Sequence, residues 1–224
     1  MASGIRTFGI DVSHWNGKVS WDVVLKPDAP VTVHFAYVKA SQLYLGASGH
    51  AVHQKDSEFD ENWAALKQHG LKRGAYHYCM PDFTAQEMAD LFLSVYHPSK
   101  GDLLPTLDVE DEYVHAIQSG TKTRAQLVAQ IVEFGKILVT ATGHQPFLYI
   151  RKDIADFLGN PPAFAAFPLW LANYNHPPTP PVPKPWTGYT LWQYSEQGHL
   201  AGVPGNCDLD YLNGPPALLD SFLI

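Results

Sequence analysis

The chain has 224 residues, of which 46% are hydrophobic and 17% charged, a composition typical of a globular protein with a substantial core rather than of a disordered chain. Its 15 basic and 22 acidic residues give a net charge of −7 with no basic patch, which argues against a nucleic-acid-binding protein. No run of about 18 apolar residues is present, and residues 1–9 lack the apolar core of a signal peptide. We therefore expect no membrane-spanning segment and no leader in this chain.

Apolar runs alternate with helical patterns over the first 175 residues, which is typical of strand–helix–strand units in a parallel sheet. Thr84 and Glu87 have the spacing of a helix capping box, and Gly70 stands where helices commonly end. The predicted strands are 7–13, 33–40, 73–79, 103–110, 146–150 and 168–174, and the predicted helices are 58–69, 84–97, 121–140 and 152–158.

The pattern changes after this point. A proline-rich loop at 177–185 precedes two more predicted strands, 188–194 and 206–212, with no helical stretch between them. The segment after the loop is too short to fold alone, so we interpret the loop as a rigid part of one domain. The fold class predicted is α/β, with five strand–helix units followed by three strands.

Two cysteines and eleven histidines bear on redox state and charge. Cys79 and Cys207 are far apart and have no CxxC or Cys/His metal spacing around them, so we expect two free thiols. Protonation of the histidines would reverse the net charge in mildly acidic solution. We therefore expect binding to a polyanionic surface to strengthen as the pH falls towards about 5.

Acidic residues stand at the ends of predicted strands. Asp11 lies near the end of the first, Asp108 and Glu110 at the end of the fourth, and Asp208 and Asp210 on the last. Residues two apart share one face of a strand, so the members of each pair point the same way. The carboxyl ends of the strands are where barrels of this kind carry their chemistry.

Carboxylates confined together raise one another's pKa, so that one keeps its proton near neutral pH. Glycoside hydrolysis uses this difference: a protonated acid serves the leaving oxygen while an ionised partner stabilises the cation or positions a nucleophile. Any one of these acids could instead cap a helix, face solvent, or pair with Lys39 or Arg73. An Asp-x-Glu at a strand end, joined by Asp11 and Asp208, favours a catalytic site.

A metal site has little support. His14 and His77 could join Asp11, but no helix carries HxxxH or HExxH, and a zinc or two-metal hydrolase needs three or more suitably spaced ligands. We predict a metal-independent enzyme without a cofactor.

Aromatic side chains near the strand ends could stack on sugar rings. Trp21 and Trp63 lie in helical contexts and are interpreted as core. The candidates that could either contact sugar or pack are Trp15, Tyr76, Tyr78, Trp170, Tyr174 and Trp192.

Seven stretches in order, over some two hundred residues, make the chain resemble glycoside hydrolase family 25, the lysozymes also called the Chalaropsis type, which includes many phage endolysins. They are GIDVSHWNG at 9–17, FAYVKAS at 35–41, FDENW at 59–63, GLKRGAYHY at 70–78, PTLDVE at 105–110, LWLANY at 169–174 and LWQYSEQGHLAGVPGNCDLDYL at 191–212.

The resemblance implies an irregular TIM-like barrel that hydrolyses the β-1,4 bond between N-acetylmuramic acid and N-acetylglucosamine in bacterial peptidoglycan. It implies that Glu110 is the general acid and that Asp108 orients a nucleophile, which the N-acetyl oxygen of the substrate could supply. Asp11 and Asp208 complete the predicted catalytic set. The predicted substrate-binding set is Tyr76, Tyr78, Trp170, Tyr174, Trp192 and Asp210, the last fitting less well because many relatives have Asn there.

Two alternatives stay open: a non-catalytic sugar-binding barrel, and a glycosidase of chitin or a related N-acetyl sugar. The chain also departs from many relatives, which carry Lys-Ala-Thr-Glu-Gly where this one has KASQL at 39–43. We expect residues 1–224 to be a single catalytic domain without a separate cell-wall-binding domain. We further expect a monomer that acts on the cell wall outside the cell, secreted or released by a phage, without membrane insertion.

Overall fold

A computed structural model describes residues 5–175 and 177–224. The strands are β1 (Thr7–Val12), β2 (Phe35–Leu45), β3 (Ala51–Lys55), β4 (Lys72–Tyr78), β5 (Thr106–Val109), β6 (Phe147–Arg151), β7 (Leu169–Ala172), β8 (Leu191–Gly198) and β9 (Cys207–Leu212). The α-helices are α1 (Trp21–Val24), α2 (Phe59–Gln68), α3 (Ala85–Val95), α4 (Asp111–Gln118), α5 (Arg124–Thr142) and α6 (Lys152–Phe157). Three 3₁₀ helices cover His14–Asn16, Pro162–Ala166 and Pro216–Phe222.

Eight of the strands close into a barrel in the order β1, β2, β4, β5, β6, β7, β8, β9, with β9 returning to β1. Neighbours from β1 to β8 run parallel, whereas β9 is antiparallel to both β8 and β1. At least one α-helix follows each of β1, β2, β4, β5 and β6 before the next barrel strand, and loops join the last three strands. The predicted α/β barrel, with five strand–helix units and three further strands, is confirmed.

The apolar core has two layers, one inside the barrel and one between the barrel and its helices. Large aromatic rings fill the interior, among them Phe35, Tyr37 and Trp170, all at most 2% exposed. Two glycines make room for them. A Cβ at Gly9 would lie 2.3 Å from the Phe35 ring, and a Cβ at Gly74 would lie 2.1 Å from the Tyr37 ring, so neither position accepts a larger residue without repacking.

The hairpin after the second predicted strand and helix α4 differ from the prediction, and the short helix α1 was given no predicted range. The predicted strand 33–40 continues to Leu45 and pairs antiparallel with β3, forming a hairpin outside the closed barrel. The turn uses Gly49 at φ 75°, a conformation that glycine adopts at no steric cost. Helix α4 was not predicted because it is short and begins directly after Glu110; burial of Tyr113 and Ala116 stabilises it.

The local signals that were identified behave as expected. The Thr84 hydroxyl accepts from the Glu87 amide at 3.2 Å, and the Thr84 amide donates to the Glu87 carboxylate at 2.7 Å, which completes the capping box of α3. Cys79 and Cys207 are free and buried, as predicted. Within the described ranges, no helix has both the length and the hydropathy needed to cross a membrane.

Candidate active site

The carboxyl ends of the parallel strands surround a cavity of about 140 Å³. Asp11 reaches it from β1, Asp108 from β5, Glu110 from the residue after β5, and Asp208 from β9. Asp11 and Asp208 face each other across the β1–β9 pairing. The four carboxyl groups therefore share one cavity, and their catalytic roles stay a prediction. The remaining wall consists of Tyr76, Thr106, Tyr149, Trp170, Tyr174, Gln193 and Glu196.

Burial and like charge keep protons on this cluster. The pKa of Asp208 is raised to about 9, first by burial and then by the charges of Asp11, Glu196 and Glu110. Burial also raises the pKa of Asp11 well above its usual value, with the charge of Asp210 adding to the effect. Because ionised carboxylates are costly in such a place, Asp208 is a neutral hydrogen-bond donor at pH 7.

Asp108 and Glu110 form a coupled pair on one face of the chain. Burial is the main cause that raises the pKa of each; the charge of Glu110 then adds for Asp108, and that of Glu112 for Glu110. Asp108 is the less exposed of the two, and both side chains line the same cavity. The nearby ammonium of Lys39 lowers the pKa of Asp108. The two carboxyls therefore titrate as a pair rather than independently.

Gln193 links three side chains at the base of the cavity, and the sequence interpretation missed it. Its amide nitrogen donates to the Asp11 carboxylate at 2.7 Å. Its carbonyl oxygen accepts from the hydroxyls of Tyr149 and Tyr174, both at 2.6 Å. Since the Gln193 side chain is almost fully buried, this network holds the Asp11 carboxyl in one orientation. The alternation of side chains along β8 could have identified it. Leu191 faces the interior of the barrel, and Gln193, two residues further on, must therefore face the same way.

Trp192 is not brought to the cavity, contrary to its place in the predicted substrate-binding set. Its indole nitrogen donates to the backbone oxygen of Asn173 at 2.9 Å, and the Arg6 guanidinium lies 4.9 Å from its ring centroid. The side chain is 2% exposed and packs in the layer outside the barrel. Neighbouring residues of a strand point to opposite faces, so the inward position of Gln193 turns Trp192 outward.

Asp210 lies behind the cavity wall and is fully buried. It accepts a hydrogen bond from the Trp170 indole nitrogen at 2.9 Å, and burial raises its pKa, with the charge of Asp208 next in size. Asp210 is therefore placed to support Trp170 and Asp11 rather than to contact substrate. The other predicted aromatic residues of the cavity, Tyr76, Trp170 and Tyr174, are all in its wall.

A second hollow continues the cavity on the β2 side and shares five of its residues: Tyr76, Asp108, Glu110, Glu196 and Asp208. Its other walls are Ser13, Trp15, Asn16, Lys39, Tyr78 and Asn206, so the predicted Tyr78 lies here. The Lys39 ammonium is 4.6 Å from the centroid of the Tyr78 ring and donates to the Gln42 side chain. Together the two hollows form an open groove across the end of the barrel.

The histidines considered as metal ligands are engaged elsewhere. The His14 ring nitrogen lies 2.6 Å from the Asp56 carboxylate, and His77 contacts the Ser41 hydroxyl at 2.9 Å while it packs against Phe92. Among residues 5–175 and 177–224, no three or more His, Cys, Asp or Glu side chains form a group that could hold a metal ion.

A closed α/β barrel with clustered carboxyls and aromatic walls at the carboxyl ends of its strands fits a glycoside hydrolase. Residues 10–203 match the sequence profile of the glycosyl hydrolases family 25. The chain belongs to this family, so the predicted family and the predicted enzyme class are both confirmed.

Known proteins agree with this assignment. Lysozyme M1 of Streptomyces globisporus is 30% identical over 223 residues, which are 97% of this chain and 70% of that protein. The bacterial lysozyme from Streptomyces coelicolor superposes with a TM-score of 0.84 at 28% identity, covering 99% of this chain and 98% of the other. A family 25 lysozyme from Aspergillus fumigatus gives a TM-score of 0.81 at 28% identity, covering 97% and 99%.

Proposed function

We propose that this family 25 muramidase hydrolyses the β-1,4 bond between N-acetylmuramic acid and N-acetylglucosamine in bacterial peptidoglycan, with Glu110 as the general acid. Membership of the family and the similarity to lysozyme M1 support the muramidase activity. The similarity to the N,O-diacetylmuramidase of Arthroderma benhamiae, 28% identical over 173 residues, adds to it. The observation that carries the assignment of Glu110 is the cavity that it shares with Asp11, Asp108 and Asp208.

Glu110 is suited to deliver a proton to the leaving oxygen. It stands at the junction of β5 and α4, lines both hollows of the groove, and has a raised pKa because it is largely buried. A general acid works best when its pKa lies near the working pH. The raised pKa of Glu110 therefore supports its assignment as the acid.

For Glu110 to act as the acid, the proton of the Asp108–Glu110 pair has to be on Glu110 when the bond breaks. We propose that bound substrate favours this placement. The N-acetyl N–H of the sugar would donate to Asp108, and a hydrogen bond donated to a carboxylate favours its ionised form. The proton of the pair is then carried by Glu110, and ionised Asp108 holds the acetamido group in place.

Asp208 and Asp11 have different parts in this proposal. Asp208 is neutral at pH 7 because its pKa is about 9, so its O–H can donate to a sugar oxygen. Asp11 is held by Gln193 at 2.7 Å and lines the other side of the cavity. Asp11 and Asp208 come from β1 and β9, whereas Glu110 follows β5. We propose that Asp11 and Asp208 bind and orient the sugar.

Digestion of purified peptidoglycan tests the function. Wild-type protein should release reducing ends, and mass spectrometry of the muropeptides should show new ends at N-acetylmuramic acid. Glu110→Gln should lose about 10²- to 10⁴-fold in turnover, the usual contribution of a general acid, while it still binds glycan. Near-normal turnover of that variant would remove Glu110 from the role. Faster release from chitin oligomers would indicate the chitin-type enzyme, and no release from either substrate a sugar-binding protein.

We propose that residues 1–224 form a single catalytic domain. Strands from the two ends of the sequence, β1 and β9, pair with each other to close the barrel, so neither end can be removed without opening it. We further propose that the protein acts as a monomer on the cell wall outside the cell. Light scattering during size-exclusion chromatography tests the monomer, and the mass of a dimer would contradict it.

A further inference from the structure

Trp15 is the most exposed of the large hydrophobic side chains in the described ranges, at 83% of its full accessibility. It lies in the 3₁₀ helix after β1, four residues after Asp11, and lines the second hollow of the groove together with Lys39 and Tyr78. Leaving an indole ring in water forgoes the free energy of burying it. Its position beside the catalytic cavity therefore calls for a ligand that covers the ring.

The backbone that carries Trp15 is fastened on two sides. The backbone nitrogen and ring nitrogen of His14 both contact the Asp56 carboxylate, at 3.0 Å and 2.6 Å. The Asn16 amide donates to the backbone oxygen of Asn206 at 2.7 Å. The His14 ring also packs against the indole, with 4.7 Å between the ring centroids. The backbone that carries the ring is thus held in place before any ligand binds, which lowers the entropic cost of binding.

We propose that Trp15 is a stacking platform for a pyranose ring of the glycan strand, one sugar beyond those at the cleaved bond. This inference rests on the proposed muramidase function for the identity of the strand. The second hollow, which Trp15 lines, shares five wall residues with the cavity, so one continuous glycan can occupy both. The flat indole covers the apolar face of the sugar, and the Lys39 ammonium and the Glu196 carboxylate, both in the same hollow, are available to the hydroxyls.

The platform is tested with a glycan strand of peptidoglycan that is eight sugars long and carries no peptides. Binding is measured calorimetrically in the Glu110→Gln background, and turnover in the active protein. Trp15→Ala should raise both Kd and KM on the order of ten-fold, equivalent to about 1.4 kcal/mol, and leave kcat unchanged. Trp15→Phe, which keeps a flat ring, should stay near the wild-type values. The matched control is Leu45→Ala, which truncates a 49% exposed apolar side chain outside the groove and should change neither constant.

Fluorescence adds a readout that a merely structural role would not change. In the Glu110→Gln protein, bound glycan should protect part of the tryptophan emission from quenching by acrylamide. In the double variant that also carries Trp15→Phe, glycan should still bind, but much of this protection should disappear. Unchanged Kd and KM in Trp15→Ala, or a lowered kcat at constant KM, would overturn the platform. Binding is measured without turnover, so the two proposals can fail separately. If the protein hydrolyses nothing, the proposed function is refuted, and the Kd values still show whether Trp15 binds the glycan.

Discussion

Replacing Asp208 with asparagine should stabilise the folded protein at neutral pH. In the folded state the pKa of Asp208 is about 9, mainly because of burial, whereas an aspartate in an unfolded chain titrates near about 3.9. The folded protein therefore holds a proton at pH 7 that the unfolded chain releases. A raised pKa of an acid makes stability fall as the pH rises from about 4 towards 9. At about 1.4 kcal/mol per unit, wild type loses up to about 4 kcal/mol between pH 4 and pH 7, a loss that the amide avoids.

Urea unfolding of wild type and Asp208→Asn at pH 4 and pH 7 measures this difference. The free energy of unfolding of the variant, relative to wild type, should rise by up to about 4 kcal/mol between the two pH values, and its Tm at pH 7 should exceed that of wild type by several degrees. Asp82→Asn is the control, because Asp82 is exposed and its carboxylate remains hydrated after folding. An equal difference at both pH values would show that Asp208 is ionised in the folded protein and that the electrostatic account is wrong.

Three further outcomes follow from the same structure. Lys39→Met removes the positive charge that lowers the pKa of Asp108, so both limbs of the pH profile of kcat/KM should move to higher pH. Lys39→Arg keeps the charge and should keep the profile. An unmoved profile in Lys39→Met would contradict this account. Gln193→Ala removes the partner that the Asp11 carboxyl and two tyrosine hydroxyls share. The free energy of unfolding should fall by about 1–3 kcal/mol, and kcat should fall as well. A variant with wild-type values of both would show that the network is dispensable. Binding to whole cell walls should strengthen from pH 8 to pH 5, the range in which histidine as a residue type gains charge. The fully buried histidine on β4 does not contribute, because burial lowers its pKa to about 3. Equal sedimentation with walls at both pH values would refute it.

Local signals accounted for the positions of most elements. Helix α3 begins at a capping box, and β5 ends at an Asp-x-Glu whose two side chains must share a face because strand residues alternate. The hairpin of β2 and β3 and the short helix α4 escaped prediction for a common reason. Each is held by contacts with neighbouring elements, such as the burial of Tyr113, rather than by a pattern within its own residues.

The sequence by itself determined the strand–helix order, the acidic residues that end its strands and the family to which the chain belongs, because these depend on local periodicity and on motifs read along the chain. Only the tertiary structure decided which side chains meet. Closure of the barrel pairs Asp11 with Asp208 from opposite ends of the chain, and the face of β8 that turns inward selects Gln193 and excludes Trp192. Both outcomes depend on strand register, which is set by pairing between distant segments.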